Sequence, residues 1–144
     1  MIRVVPLSLL PEIWPHFAPM LKRALDVHPF LSIRDLYRLV AQGHADLIAD
    51  TQGNQALVME VITYPSYRVA NVVAMGGVKA MGQPLHALID FSELWAQRHD
   101  CEYLMMIGRP GWINFVAERD GHSLKQVQAW KKLEPLCPAV SQVS

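Results

Sequence analysis

Several features that mark whole classes of protein are missing from this sequence of 144 residues. Its two cysteines, Cys101 and Cys137, form no CxxC pair and have no regular histidine spacing nearby, so a zinc site is not expected. No run of about 18 uninterrupted apolar residues occurs, and no segment is therefore predicted to span a membrane. Two thiols in a chain of this size favour a reducing compartment, and we expect a cytoplasmic protein.

Charge is also scarce and balanced, with 13 basic and 13 acidic residues. No cluster of lysine and arginine provides the electrostatic surface that nucleic-acid binding requires. The N-terminal apolar run near Arg3 is interrupted by Pro6, Pro11 and Glu12, which favours a strand and turn over a signal peptide. A content of 51% hydrophobic and 18% charged residues instead indicates a well-filled core.

The hydrophobic pattern alternates between helical and strand periods along the chain. Ser32 followed by Asp35 is typical of a capping box, and Gly43 is well placed to end the helix that follows. The predicted elements are, in chain order, a strand at residues 2–5, helices at 12–25 and 32–43, strands at 46–50, 56–64 and 68–75, a helix at 84–99, a strand at 103–107, a short helix between 111 and 120, and a strand at 124–133.

These elements predict one α/β domain over residues 1–135 and a flexible tail over residues 136–144. The three consecutive strands in the middle of the chain form an antiparallel meander. The helix after it leads to a further strand, which makes one parallel crossover. Because residues 103–107 lack alternation, we expect that strand to be central and covered on both faces.

The predicted order, β-α-α-β-β-β-α-β-α-β, is that of the GNAT (N-acetyltransferase) superfamily, and the local detail resembles a phage-encoded branch of GNAT-like proteins. The matching segments are residues 60–65 (EVITYP), 76–77 (GG), 95–96 (WA), 100–102 (DCE), 108–112 (GRPGW) and 130–133 (WKKL). The resemblance implies a mixed, mostly antiparallel twisted sheet of about six strands with flanking helices, whose fourth and fifth strands splay apart.

In that family acetyl-CoA inserts between the two splayed strands, and backbone N–H groups at the start of the long helix hold its pyrophosphate. Gly76 and Gly77 follow the fourth strand, and Lys79 and Gly82 match two positions of the family's phosphate loop. Pro84 occupies a position where the family has a small residue, and proline lacks an N–H, so one donor is missing. The alternative is a plain strand-to-helix turn in which Gly82 only gives shape.

Amine acetylation needs a base for the amine proton and an acid for the departing thiolate. Glu60, a carboxylate on a largely apolar strand, is the candidate base; the alternatives are that it faces water or pairs with Arg68. The family's usual acid is a tyrosine in the helix after the fifth strand, where this sequence has Phe115 and Val116. Tyr64 and Tyr103 are the substitutes that the sequence offers.

Arg109 lies at a strand-to-helix turn, where a guanidinium can bind a phosphate or carboxylate; the alternative is an ion pair with Glu102 or Glu118. Cys101 has no neighbour in sequence that would activate a thiol, and it is interpreted as inert rather than nucleophilic. No metal site is predicted.

Two functional hypotheses follow. The first is an N-acetyltransferase that moves an acetyl group from acetyl-CoA to an amine, with a degenerate cofactor loop. The second is a non-catalytic, phage-encoded GNAT-fold protein that acts as a structural, virion-associated or assembly component. The corresponding partners are an amine substrate or another phage protein, and a homo-oligomer is compatible with both.

Overall fold

The computed structural model describes residues 1–28, 30–77, 83–106 and 131–135. These residues form one mixed five-stranded sheet in which the spatial order of strands follows the chain order. Short 3-10 turns at Leu7–Leu9 and Leu25–Val27 flank the first helix. The elements are β1 (Ile2–Val4), α1 (Leu10–Ala24), α2 (Ile33–Ala41), β2 (Asp46–Asp50), β3 (Gln55–Thr63), β4 (Arg68–Gly77), α3 (Gln83–Arg98) and β5 (Tyr103–Met106).

The sheet topology confirms the predicted meander and the predicted crossover. Strands β1 to β4 pair antiparallel with their neighbours, and β5 pairs parallel with β4 after the chain passes through α3. The predicted helix between 111 and 120 lies outside the described residues, as do residues 124–130 of the predicted last strand. Residues 131–133 were wrongly included in that strand, because they are exposed and have no strand pairing.

Strand β5 differs from the prediction of a strand covered on both faces. Tyr103 is exposed, and Leu104, Met105 and Met106 are only half-buried. Among the described residues β5 is the outermost strand, with β4 as its single neighbour. An unalternated apolar run therefore did not distinguish a strand covered on both faces from a half-covered one.

Two apolar cores cover the two faces of the sheet. The α1-side face packs against α1 and α2 and includes Val58, Val73 and Ala74. The α3-side face packs against α3 and includes Leu57 and Val72. Because side chains alternate along a strand, neighbouring residues of β3 contribute to opposite cores. Each core contains leucines whose side chains are fully buried.

Helix α1 contains three prolines whose spacing confines the lost backbone hydrogen bonds to one side of the helix. Pro11, Pro15 and Pro19 are each four residues apart and all exposed, whereas Trp14 and Phe17 on the opposite side are buried. A proline removes the hydrogen bond to the carbonyl four residues earlier. Here the carbonyls of Pro11 and Pro15 lose their partners on the solvent side, where water can replace them.

Helix α2 begins with the capping box that the sequence predicts. The Ser32 hydroxyl accepts a hydrogen bond from the Asp35 N–H at 3.1 Å, and the Asp35 carboxylate accepts one from the Ser32 N–H at 3.1 Å. Gly43 follows the helix with a φ of 79°, as expected for a C-terminal glycine. The hydrogen bond from the Ser32 backbone, followed by that to its side chain, lowers the pKa of Asp35.

Replacing Asp35 by asparagine is expected to destabilise the protein in a pH-dependent way. A carboxyl group with a lowered pKa in the folded state stabilises the fold above its unfolded pKa, and this stabilisation is lost as the pH falls through the folded value. The Asp35→Asn variant should therefore melt below wild type at about pH 7 and match it at about pH 2. Melting temperatures measured across that range test this, and a gap that persists in acid contradicts it.

Candidate functional site

Strand β4 carries a β-bulge in the middle of the sheet. Val58 of β3 pairs with Ala74, but the next residue, Met59, pairs with Val72, so Val73 is the extra residue. Val73 and Ala74 consequently both pack on the α1-side face, although they are adjacent in sequence. A bulge bends the strand and increases its twist, and bulges are frequent next to functional sites.

Strands β4 and β5 are paired next to this bulge. The last pair among the described residues joins Val72 to Met106, the last described residue of β5, whereas β4 itself continues to Gly77. The bulge at Val73 therefore follows directly after the last described pair.

Glu60 lies opposite Asn71 in the β3–β4 pairing, one residue before the last β4–β5 pair. The Asn71 Nδ2 amide donates a hydrogen bond to Glu60 Oε1 at 3.0 Å. Both side chains are half-buried, and by alternation from Val58 both lie on the α1-side face. The alternative of an ion pair between Glu60 and Arg68 does not form, because Arg68 Nη2 instead donates to the His99 carbonyl at 2.8 Å.

The tyrosines lie at the end of the sheet that carries the β3–β4 turn. Tyr64 follows β3 directly, its side chain is 47% exposed, and its N–H donates to the Tyr67 carbonyl at 2.8 Å. Tyr103 at the start of β5 packs edge-to-face against Tyr67, with ring centroids 5.3 Å apart. Tyr64 is four residues from Glu60 along the chain, about 13 Å if fully extended.

The two predicted cofactor glycines end β4. A Cβ atom added to Gly76 would lie 2.6 Å from the Met20 carbonyl oxygen, so Gly76 permits the close approach of α1 to the sheet. Gly77 is half-buried and pairs with Gln55. Both lie on the far side of the bulge from Glu60 and Asn71, so these two glycines are not in contact with the predicted catalytic carboxylate.

Three further predicted cofactor residues, Lys79, Gly82 and Arg109, lie outside the described residues. The described part of helix α3 starts at Gln83. The N-terminus of a helix presents free backbone N–H groups and the positive end of the helix dipole, which together favour an anion. The position of α3 is thus compatible with phosphate binding.

Cys101 lies between α3 and β5 and is a free thiol. Burial raises its pKa, a contribution that the nearby Arg68 partly opposes and Asp100 reinforces. A raised pKa reduces the thiolate fraction, and the thiolate is the nucleophile. This agrees with the interpretation of Cys101 as inert.

A separate cavity of about 260 Å³ lies between α1 and the first two strands. Arg3, Glu12, His16 and Asp50 are among the residues that line it, and the His16 Nε2 atom is hydrogen-bonded to the Gly53 carbonyl at 2.8 Å. Three strands separate β1 from β5, so this cavity is not part of the site at the β4 bulge.

Within the described ranges, no group of three or more histidine, cysteine, aspartate or glutamate side chains could hold a metal ion. The helices described are also too short or too polar to cross a membrane. Asn71 is the residue of the site that sequence reasoning missed. Its place opposite Glu60 could have been counted back from the turn between Thr63 and Arg68, because hairpin register follows from turn length.

No model of a known protein family matches the sequence, and no curated protein matches it. Solved structures do resemble the fold. An aminoglycoside acetyltransferase from an uncultured soil metagenomic sample, in complex with trehalose, has a TM-score of 0.70 at 13% identity over 93% of this chain and 96% of that one. An aminoglycoside N-acetyltransferase in complex with CoA has a TM-score of 0.67 at 16% identity over 92% and 93%.

Glucosamine-6-phosphate N-acetyltransferase from Arabidopsis thaliana is similar as well, with a TM-score of 0.63 at 13% identity. It matches 93% of this chain and 98% of its own length. Similarity at this level of identity concerns the arrangement of the elements rather than the chemistry. The chain therefore has the fold of the GNAT acetyltransferases.

Proposed function

We propose that this protein is an N-acetyltransferase that transfers the acetyl group of acetyl-CoA to an amine. The observation that carries the proposal is the parallel β4–β5 pair, with the bulge at Val73 directly after its last described pair. In this proposal the two strands separate beyond the bulge, and the C-terminal half of β4 offers its backbone groups to the cofactor. Acetyltransferases share this fold, and one of the similar structures holds CoA.

The cofactor would be held by backbone groups and by the start of α3. In this proposal the pantetheine amides pair with β4 beyond Val72, near Gly76 and Gly77, as an added strand would. The pyrophosphate lies at the N-terminus of α3, with Lys79 and Gly82 in the preceding loop and Arg109 as a further cation. Pro84 offers no N–H and therefore removes one donor from this end of the helix.

Glu60 is the proposed general base. Its carboxylate takes a proton from the nitrogen of the acceptor amine, whose lone pair then forms the N–C bond to the acetyl carbon as the C–S bond breaks. The sulfur leaves as a thiolate and takes up one proton, for which Tyr64 is the candidate donor. Acetyl-CoA supplies the activated acyl group, and the chain supplies orientation and proton transfer.

Binding of acetyl-CoA is expected to raise the melting temperature. A ligand at about a hundred times its Kd stabilises the folded state by ~2.7 kcal/mol, which is several degrees for a chain of this length. ATP at the same concentration is the control, because it carries phosphates and adenosine but no pantetheine. The absence of any shift at millimolar acetyl-CoA, in a thermal melt and in calorimetric titration, contradicts the proposal.

The second candidate function is a non-catalytic interaction module, such as a phage structural, virion-associated or assembly component. It rests on the sequence resemblance and on the exposed aromatic surface formed by Tyr64, Tyr67 and Tyr103. Tyrosine is enriched in protein–protein interfaces, so this surface suits a protein partner or a second copy of the chain. Light scattering that gives a monomer, together with measurable acetyl transfer, favours the enzyme instead.

A further inference from the structure

We propose that Asn71 is a positioning residue for Glu60. Its side-chain amide can present either the N–H or the C=O group, and it can therefore hold the Glu60 side chain in both protonation states. The catalytic consequence rests on the proposed acetyltransferase function, whereas the contact itself does not. Two features of the Asn71 side chain support this role: its amide N–H group donates a hydrogen bond, and its carbonyl oxygen has no partner.

The donor is the Asn71 Nδ2 group, which binds Glu60 Oε1 at 3.0 Å. Among the described residues this is the one hydrogen bond that Glu60 makes through its side chain, and it has no ion pair there. The cation on the neighbouring strand, Arg68, donates instead to the His99 carbonyl at 2.8 Å. Within the described part of the chain, the orientation of the carboxylate therefore depends on Asn71.

The unused acceptor is Asn71 Oδ1, which is buried and has no hydrogen-bond partner. A buried carbonyl oxygen without a partner is unfavourable, and most such atoms in proteins are paired. The hydrogen bond of 3.0 Å from Nδ2 to the Glu60 carboxylate offsets this cost and favours the observed orientation of the amide. An ionised carboxylate accepts hydrogen bonds only, so it selects the amide's donor.

Protonation of Glu60 reverses that preference. A protonated carboxyl group carries an O–H that needs an acceptor, and a half-turn of the Asn71 amide brings Oδ1 to the place of Nδ2. An arginine could not do this, since a guanidinium has donors alone and favours only the ionised carboxylate. A base that gains and loses a proton in each catalytic cycle is best supported by a partner with both capacities.

The position of the pair relates it to the proposed chemistry. Asn71 pairs with Met105 on β5 and with Glu60 on β3, and it lies two residues before the bulge at Val73. Asn71 and Glu60 thus lie next to the part of β4 that is proposed to bind the cofactor. Fixing the carboxylate there orients it toward an amine that approaches the acetyl group.

The contact is tested without activity by following side-chain amide signals in ¹⁵N NMR spectra across a pH titration. The Asn71 amide signals are expected to move with the protonation of Glu60 in wild type and to stay fixed in Glu60→Gln. The side-chain amide of Asn54, which lies in the exposed β2–β3 turn, is the matched control. Asn71 signals that do not titrate, or that titrate equally in Glu60→Gln, overturn the inference.

The positioning role is tested with two variants at position 71, valine and threonine, which have the same shape and are both favourable in a β-strand. Asn71→Val removes donor and acceptor, whereas Asn71→Thr keeps a hydroxyl that can do both. We expect kcat to fall about tenfold in Asn71→Val and by only about twofold in Asn71→Thr, with the KM for acetyl-CoA unchanged in both. In the Glu60→Gln background the Val and Thr variants should be equal, because no titrating carboxylate remains.

An equal loss for Asn71→Val in both backgrounds shows that Asn71 acts on structure alone and contradicts the positioning role. Failure of the proposed function has a different signature. If wild type transfers no acetyl group, the acetyltransferase proposal falls, and the NMR titration still decides whether Asn71 follows the protonation of Glu60.

Discussion

The Glu60→Gln variant is expected to lower kcat by about 100- to 1,000-fold, which corresponds to ~3 to 4 kcal/mol of transition-state stabilisation. Glutamine keeps the size of the side chain and can still bind Asn71 by presenting its carbonyl oxygen to Nδ2. It cannot accept the proton that an amine must lose. The loss should therefore appear in kcat, while the Kd for acetyl-CoA and the melting temperature stay close to those of wild type.

Glu102→Gln is the matched control for this prediction. Glu102 is an exposed carboxylate just before β5, and its hydrogen bond to the Arg68 carbonyl comes from the backbone N–H, which the substitution leaves intact. Steady-state kinetics with a panel of primary amines and calorimetric titration with acetyl-CoA separate the two steps. If Glu60→Gln retains wild-type kcat, the assignment of Glu60 as base is wrong; if it loses acetyl-CoA binding instead, Glu60 belongs to the cofactor site.

Gly76→Ala is expected to destabilise the protein by about 2 to 3 kcal/mol, near the upper end for overpacking by a single methyl group. The added Cβ would lie 2.6 Å from the Met20 carbonyl oxygen and 3.2 Å from the Met20 Cβ. The oxygen is a backbone atom of α1, so no side-chain rotation relieves the contact. The helix must shift away from β4 and lose part of the buried packing between them.

Urea denaturation measures this effect, and Gly43→Ala is the control. Gly43 has a φ of 79° but no atom within 4 Å of an added Cβ, so its substitution costs only the backbone conformation, about 1 kcal/mol. A Gly76→Ala variant as stable as wild type contradicts the packing role. Titration of its folded fraction with acetyl-CoA shows separately whether Gly76 also contributes to cofactor binding, as the sequence predicts.

The elements with strong local signals were predicted closely. Helix α2 was predicted from Ser32, Asp35 and Gly43, and its capping box and its left-handed glycine both form. These signals act between residues at most a few positions apart, so one sequence suffices to read them. The β5 prediction was less accurate, because burial on two faces depends on what packs there and not on the run of apolar residues itself.

The candidate site was predicted only in part. Glu60 was recognised because a carboxylate is unusual on an apolar strand, but Arg68 was offered as its partner and Asn71 was missed. The parallel crossover places the end of α3 beside the start of β4, and Arg68 therefore binds the His99 carbonyl there. The bulge at Val73 was also missed, since the apolar run around it gives no indication of which residue lacks a partner on β3.

What the sequence by itself determined is the type and order of the elements, because periodicity, caps and turn residues act over short stretches of chain. Tertiary structure alone decided which groups meet: Glu60 with Asn71, Arg68 with the end of α3, and Gly76 with Met20. These contacts depend on strand register, on one bulge and on a crossover between distant segments. Each is set by packing across the whole sheet, which no local stretch of residues encodes.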